Sequence, residues 1–170
     1  MSEQELQNGS SSRDIKESFA YYAKRDLIIF GNQEGLLSFL ERKSGRAVGS
    51  FKAEFGFYST PLVYKNTIIA TSVDKHVYCI DLDTYAEKWH WHAGARIFSS
   101  PTIIGERLYV GANTGRFTEL EPETGKELSS FLVTERITNK VAYNPRTEYF
   151  FLPTFANELY CLKKNSTSVE

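Results

Sequence analysis

A stretch of about 40 residues recurs along this chain, and a fixed period of that length decides what it can fold into. Pro61 opens the run PLVYKNTIIATSVDKHVYCIDLDTYAEKWHW, and Pro101, 40 residues on, opens PTIIGERLYVGANTGRFTELEPETGKELSSF. One period before Pro61, Tyr21 opens YYAKRDLIIFGNQEGLLSFLERKSGRAVGSF. A fourth copy begins at Val141 with VAYNPRTEYFFLPTFANELYCLKK. It carries extra residues, assigned to the NPRTE turn, and ends after its third strand near Lys163.

The columns agree in chemistry as well as spacing. Gly35 and Gly115 share a turn position at which glycine adopts a positive φ without a Cβ clash. Lys75 fills that column in the second copy, which predicts a turn that is not uniform. Glu41, Asp81 and Glu121 share another column, each followed four residues later by Gly45, Tyr85 or Gly125. Phe51, Trp91 and Phe131 close the three complete copies, so each ring is expected to pack on the neighbouring unit. Within the third copy, TIIGE, RLYVGA, RFTELE and KELSSF read as four strands, separated by GER, NTG and PETG turns. The first two are apolar on both faces, as strands of a sheet held between two other sheets must be. An aromatic content of 14%, with 12 Phe and 10 Tyr, suits such strands. Helical periodicity is weak, and even residues 13–23 read better as extended when aligned with later copies.

The run LYVGANTGRFTELEPETGKEL resembles the repeat of pyrroloquinoline-quinone-type β-propellers: a strand ending in glycine, a turn, a strand ending in an acid, then a T-G-K turn. ARIFSSP, and more weakly GFYSTP, resemble the start of the innermost strand in that family. The resemblance implies an all-β fold of propeller blades, each of four antiparallel strands, about four blades in all. The expected organisation is a polar tail over residues 1–15 and repeats over 16–163. Blades fall near 16–60, 61–100, 101–140 and 141–163, and a second tail covers 164–170.

Family members close with seven or eight blades, so about four leave a partial ring. Each end blade then exposes an apolar face of several hundred Å², worth on the order of 10 kcal/mol at about 25 cal/mol per Å². A patch of that size marks an interface. Three arrangements relieve it: two copies pairing into one eight-blade ring, a longer polypeptide or second protein supplying the missing blades, or four blades closing on themselves with residues 13–19 completing the last sheet. The sequence leaves these open.

The family also implies a quinone-dependent dehydrogenase as an activity to test. Those enzymes use calcium, a catalytic aspartate, an aromatic floor and often adjacent cysteines. Here Cys79 and Cys161 lie in matching columns of separate copies, too far apart for a disulfide, and both read as buried thiols. Both tryptophans lie in the WHW strand, and no loop gathers the oxygen ligands calcium takes. No catalytic residue, metal or cofactor is expected. His90 and His92 share one face of a strand with His76 in the same blade, but a zinc site needs a fuller ligand set, and they read as surface histidines. Trp89 and Trp91, on the opposite face, read as inter-blade core. Ser99 and Ser100 lack a nearby base and read as strand-start residues.

Arg96 and Arg136 stand 40 residues apart, each just before an innermost strand, where the family places the rim of the central channel. With Phe98 and Tyr58 of the same loops, they are the candidate ligand- or partner-binding residues. The expected function is a non-catalytic scaffold for protein–protein interaction or assembly, its partner a protein or a second copy of the chain. Alternatives are an accessory propeller of a larger enzyme, such as an adenylate-forming one, and a small anionic-ligand binder at the channel face. A formal net charge of -1 argues against a nucleic-acid partner, and no apolar run is long enough for a membrane span. Residues 1–12 are polar with no secretory h-region, so a cytoplasmic location is expected if Met1 is the natural start. A lipoprotein scaffold of outer-membrane protein assembly carries the same repeat, but it would need an export signal and a lipidated cysteine that this N-terminus lacks.

Overall fold

The computed structural model describes residues 18–163. The tails expected over 1–15 and 164–170, and the start of the first blade, lie outside the described residues. Four antiparallel sheets follow one another along the chain, each with its strands in sequence order. Blade 1 is β1 (Ala20–Tyr22), β2 (Leu27–Gly31), β3 (Leu36–Glu41) and β4 (Ala47–Lys52). Blade 2 is β5 (Leu62–Tyr64), β6 (Thr67–Thr71), β7 (His76–Asp81) and β8 (Glu87–His92). Blade 3 is β9 (Thr102–Ile104), β10 (Arg107–Gly111), β11 (Arg116–Leu120) and β12 (Glu127–Leu132). Blade 4 has three strands among the described residues, β13 (Ala142–Asn144), β14 (Tyr149–Pro153) and β15 (Leu159–Lys163).

Apolar residues on both faces of each sheet require cover on both sides, and stacking provides it. Leu27, Ile29, Leu37 and Phe39 of blade 1 pack on Ile68, Ala70, Tyr78 and Ile80 of blade 2. Ile69, Val77 and Cys79, on the other face of blade 2, pack on Leu108, Val110 and Leu120 of blade 3. Tyr109 and Phe117 carry the pattern on to Phe150 and Leu152 of blade 4. The central strand β6 is buried along its whole length.

The register corrects the repeat alignment at the first strand. Ala20 pairs with Ile29 as Leu62 pairs with Ile69, so the blade 1 and blade 2 innermost strands are 42 residues apart while the second strands keep 40. A short 3-10 turn, Ala23–Arg25, accounts for the difference. The extra residues expected in NPRTE are there, between β13 and β14.

The second correction concerns the turn at Lys75. Gly35 and Gly115 have φ 81° and 82°, but Lys75 adopts 79° and Asn157, in the fourth blade, 62°. The turn is uniform in backbone, and the side chain conforms at a cost of about 1 kcal/mol or more for a non-glycine residue there. The third concerns Phe131. Phe51 packs on Tyr78 with centroids 5.1 Å apart and Trp91 joins the blade 2–blade 3 core, but Phe131 is 50% exposed. The fourth concerns the cysteines: Cys79 is buried, and burial pushes its thiol up, whereas Cys161 is exposed. Phe131 and Cys161 share one cause: blade 4 has neither a fourth strand nor a following blade among the described residues.

Replacing Lys75→Gly is expected to raise unfolding stability by about 1 kcal/mol in urea titration. Gly115→Ala should lower it by about 2 kcal/mol or more, because its Cβ would stand 2.2 Å from the Val133 carbonyl oxygen.

Candidate functional site

Between consecutive blades the connecting loop is held by two repeated backbone bonds. Phe57, Ile97 and Ile137 donate N–H to the carbonyls of Asn32, Ser72 and Ala112, at 2.9, 3.3 and 3.2 Å. The preceding residues, Gly56, Arg96 and Arg136, accept from Val73, Asn113 and Phe155 of the next blade, at 3.0, 2.9 and 3.0 Å. The chain therefore passes between two sheets while bonded to both. Gly31 and Gly111 leave room for it: a Cβ on either would lie 2.3 or 2.2 Å from Phe57 or Ile137.

This geometry positions the four residues singled out in the sequence. Tyr58 and Phe98 come together, with ring centroids 5.8 Å apart at 67°. Phe98 also faces a cleft of about 320 Å³, shared with Pro61, Ser100, Pro101 and Lys140. The two arginines are exposed and go elsewhere. Arg136 stacks its guanidinium 5.3 Å above the Phe155 ring. Arg96 borders a different cleft, of about 480 Å³, with Glu54, Asp74, Lys75, His76 and His92. Two carboxylates balance two cations there, so that cleft carries no net field for an anion.

At its floor the Asp74 carboxylate is buried and fully engaged. It accepts N–H from His76 at 3.0 Å and from Glu54 at 3.3 Å, and the Tyr78 hydroxyl donates at 2.8 Å. Burial, and then the Asp74 charge, push the Tyr78 hydroxyl well above the ordinary phenol range. The His76 ring lies 4.9 Å from His92 and 5.3 Å from His90, and His90 Nδ1 is 2.6 Å from Glu87. Among the described residues no group of three His, Cys, Asp or Glu is arranged to hold a metal ion. Trp89 and Trp91 pack on the opposite face against blade 3, with Trp89 Nε1 donating to the Pro122 carbonyl at 3.2 Å. The Ser99 hydroxyl donates to the Gly111 carbonyl at 2.6 Å, a structural role at the start of the innermost strand.

The largest unmatched chemistry lies on the two end sheets, and sequence reading named none of its residues. On blade 1, Tyr21, Ile28, Phe30 and Leu40 occupy the columns that hold Val63, Ile68, Ala70 and Ile80 in blade 2. The blade 2 set is packed against blade 1, but the blade 1 set has no preceding sheet among the described residues, and Tyr21 is 48% exposed. On blade 4, Phe151, Leu159 and Cys161 occupy the columns of Ile69, Val77 and Cys79. Leu159 is 63% exposed, whereas Val77 is 0%. A third apolar opening, about 260 Å³, lies where a fourth strand of blade 4 would run, between Phe131 and the Phe150–Leu162 pair. Column alignment at the corrected 42-residue offset would have found both faces.

The family described as outer membrane protein assembly factor BamB matches residues 3–168. A search of curated proteins found no match. Among solved structures, BamB from Moraxella catarrhalis is similar with TM-score 0.78 and 14% identity, over 91% of this chain and 51% of that one. The chain thus spans about half the length of that protein. The computationally designed Ika4 protein is similar at TM-score 0.77 and 11% identity, over 92% of this chain and 94% of that one. The designed Ika8 protein is similar at TM-score 0.73 and 11% identity, over 86% and 45%. These likenesses concern the fold.

Removing the buried acceptor by Asp74→Ala is expected to cost roughly 3 kcal/mol in urea denaturation, because three donors lose their partner. Tyr78→Phe, which leaves the carboxylate its backbone donors, should cost about 1 kcal/mol, and the double variant less than the sum.

Proposed function

The chain belongs to the family described as outer membrane protein assembly factor BamB, and from that premise we propose that it is a non-catalytic propeller scaffold for protein assembly, completed by a second copy of itself. The observation that carries this reading is the pair of open end faces. Tyr21, Ile28, Phe30 and Leu40 at one end and Phe151, Leu159 and Cys161 at the other are built from the same columns that form the three internal blade junctions. A two-fold pairing of the arc places each open end against the opposite end of the other copy, repeating the internal junction twice. The half-length match to the BamB structure supports an arc that is half of a larger ring, and the end-to-end match to Ika4 supports a unit of this size.

In this reading the function is presentation: loops held by the repeated inter-blade bonds offer a fixed surface to a client protein. The Tyr58–Phe98 pair and the Arg136–Phe155 stack are the exposed aromatic and cationic groups on those loops. The family name adds outer-membrane proteins as the clients to test first. No catalytic role is proposed for Ser99, Asp74 or the histidines, whose polar groups are taken up by the fold. A second reading, also favoured by the half-length match, has the missing blades supplied by a different polypeptide or by the rest of a longer one.

Size exclusion with light scattering separates these. A species near twice the 19.4 kDa chain mass is expected, and Leu159→Lys or Phe30→Lys should return it to 19.4 kDa without loss of strand content. A chain monomeric at every concentration would remove the two-copy reading, and polydisperse aggregation would favour the second.

A further inference from the structure

Blade 4 ends on an unpaired strand edge, β15, and next to it Phe131, Phe150 and Leu162 line the apolar opening. We propose that residues 5–15 of a second copy fill this edge, residues 5–10 as the fourth strand of blade 4 and Ile15 as the bond that ties the two copies together. The proposal rests on the two-copy reading above and deepens it by naming the segment that makes the contact.

The columns assign the segment. Counting back from the innermost strands, which are 42 residues apart in blades 1 and 2, Ile15 falls in the column of Phe57, Ile97 and Ile137. Each of those three is buried between two blades and donates its N–H to the carbonyl that ends the second strand of the preceding blade. The fourth member of that carbonyl column is Thr154. Like Asn32, Ser72 and Ala112 it already accepts from its own turn, here from Asn157 at 3.2 Å, and among the described residues it receives no inter-blade N–H. Ile15 of a neighbouring copy is the donor the repeat calls for.

Strands β4, β8 and β12 each end five residues before their column member, which places the corresponding strand over residues 5–10. That stretch, ELQNGS, opens with the same Glu–Leu as β12, ELSSFL. Its polarity suits an outermost strand, since β12 is exposed along most of its length. Independently, the family match begins at residue 3, so the segment aligns with the repeat and not with a linker.

The connection also identifies whose blade receives it. In every internal junction the outermost strand of one blade runs directly into the innermost strand of the next. Residues 5–10 therefore belong to the blade that lies against the open face of blade 1. Among the described residues, cores join blades 1–2, 2–3 and 3–4, and none joins blade 4 to blade 1. The blade in question is blade 4 of another copy. Strand addition of this kind supplies backbone bonds for affinity and side-chain columns for specificity.

The experiment compares the full chain with one beginning at residue 18, by light scattering over a dilution series. The full chain tests the two-copy reading, and the shortened chain tests the segment. The expected result is that truncation weakens pairing about tenfold or more, that Ile15→Asp does so with the chain intact, and that a synthetic peptide of residues 1–19 binds the shortened chain. Equal pairing by full and shortened chains would overturn the segment's role while leaving the two-copy reading standing. A full chain that never pairs would overturn both. For the identity of the donor, an Ile15→Cys chain is mixed with a Pro153→Cys chain, each in a Cys161→Ser background. Pro153 is the counterpart of Gly111, whose Cβ position meets Ile137. A disulfide-linked species of twice the chain mass is expected, because residues in that contact are within disulfide reach. A double variant that instead cross-links within one chain would show self-closure and overturn the second copy as the source.

Discussion

Every sheet in this protein is apolar on both faces, and that single constraint sets the rest. A strand such as β6, buried at all five positions, has no side that tolerates water. A sheet of such strands is stable only as a middle layer, so each blade must have a blade before it and a blade after it. Three junctions meet that demand with the same columns, and the two ends of the arc do not. The stacking that builds the fold is thus also what makes its ends adhesive, and the functional reading follows from the packing without any further site.

The junctions are specific because backbone bonds as well as apolar area define them. The loop between blades is bonded to the carbonyl before it and the amide after it, with Phe57, Ile97 or Ile137 buried at the crossing. Close approach there depends on Gly31 and Gly111, and a second set of insertions depends on Gly49 and Gly125, which leave room for the rings of Tyr85 and Trp89. Tyr85 reaches back from blade 2 to Phe39 of blade 1, with centroids 4.8 Å apart. These contacts fix the spacing and angle of neighbouring blades, which is what a surface made of loops from several blades requires.

Much of the architecture was legible in the sequence because a repeat prints each structural rule several times. The strands of the third copy, the NPRTE insertion and the inter-blade roles of Phe51, Trp89 and Trp91 all follow from columns of like chemistry. What misled were positions where one copy departs from the others. Lys75 suggested a different turn, yet the backbone keeps its positive φ and the lysine conforms, since the carbonyls around the turn fix its shape more strongly than one residue's preference. Phe131 and Cys161 match buried columns but are exposed, because burial in a propeller belongs to the junction and not to the strand. The 3-10 turn at Ala23–Arg25 shifted the first strand by two positions and hid the open face of blade 1. Of the candidate site residues, Tyr58 and Phe98 do meet, while Arg96 and Arg136 serve separate surroundings, a distinction that depends on loop path and not on spacing.

Cys161 is a native reporter on the open face of blade 4, and Cys79, its column mate, is buried in a completed junction. The most direct test of the account is the rate at which each thiol reacts with a small aromatic disulfide as the chain is diluted. If the end faces cover one another, Cys161 reacts slowly in concentrated solution and quickly in dilute solution, while Cys79 stays inert throughout. A Cys161 rate that is fast and independent of concentration would show that the face stays open, and would contradict the claim that every blade in this protein is covered on both sides.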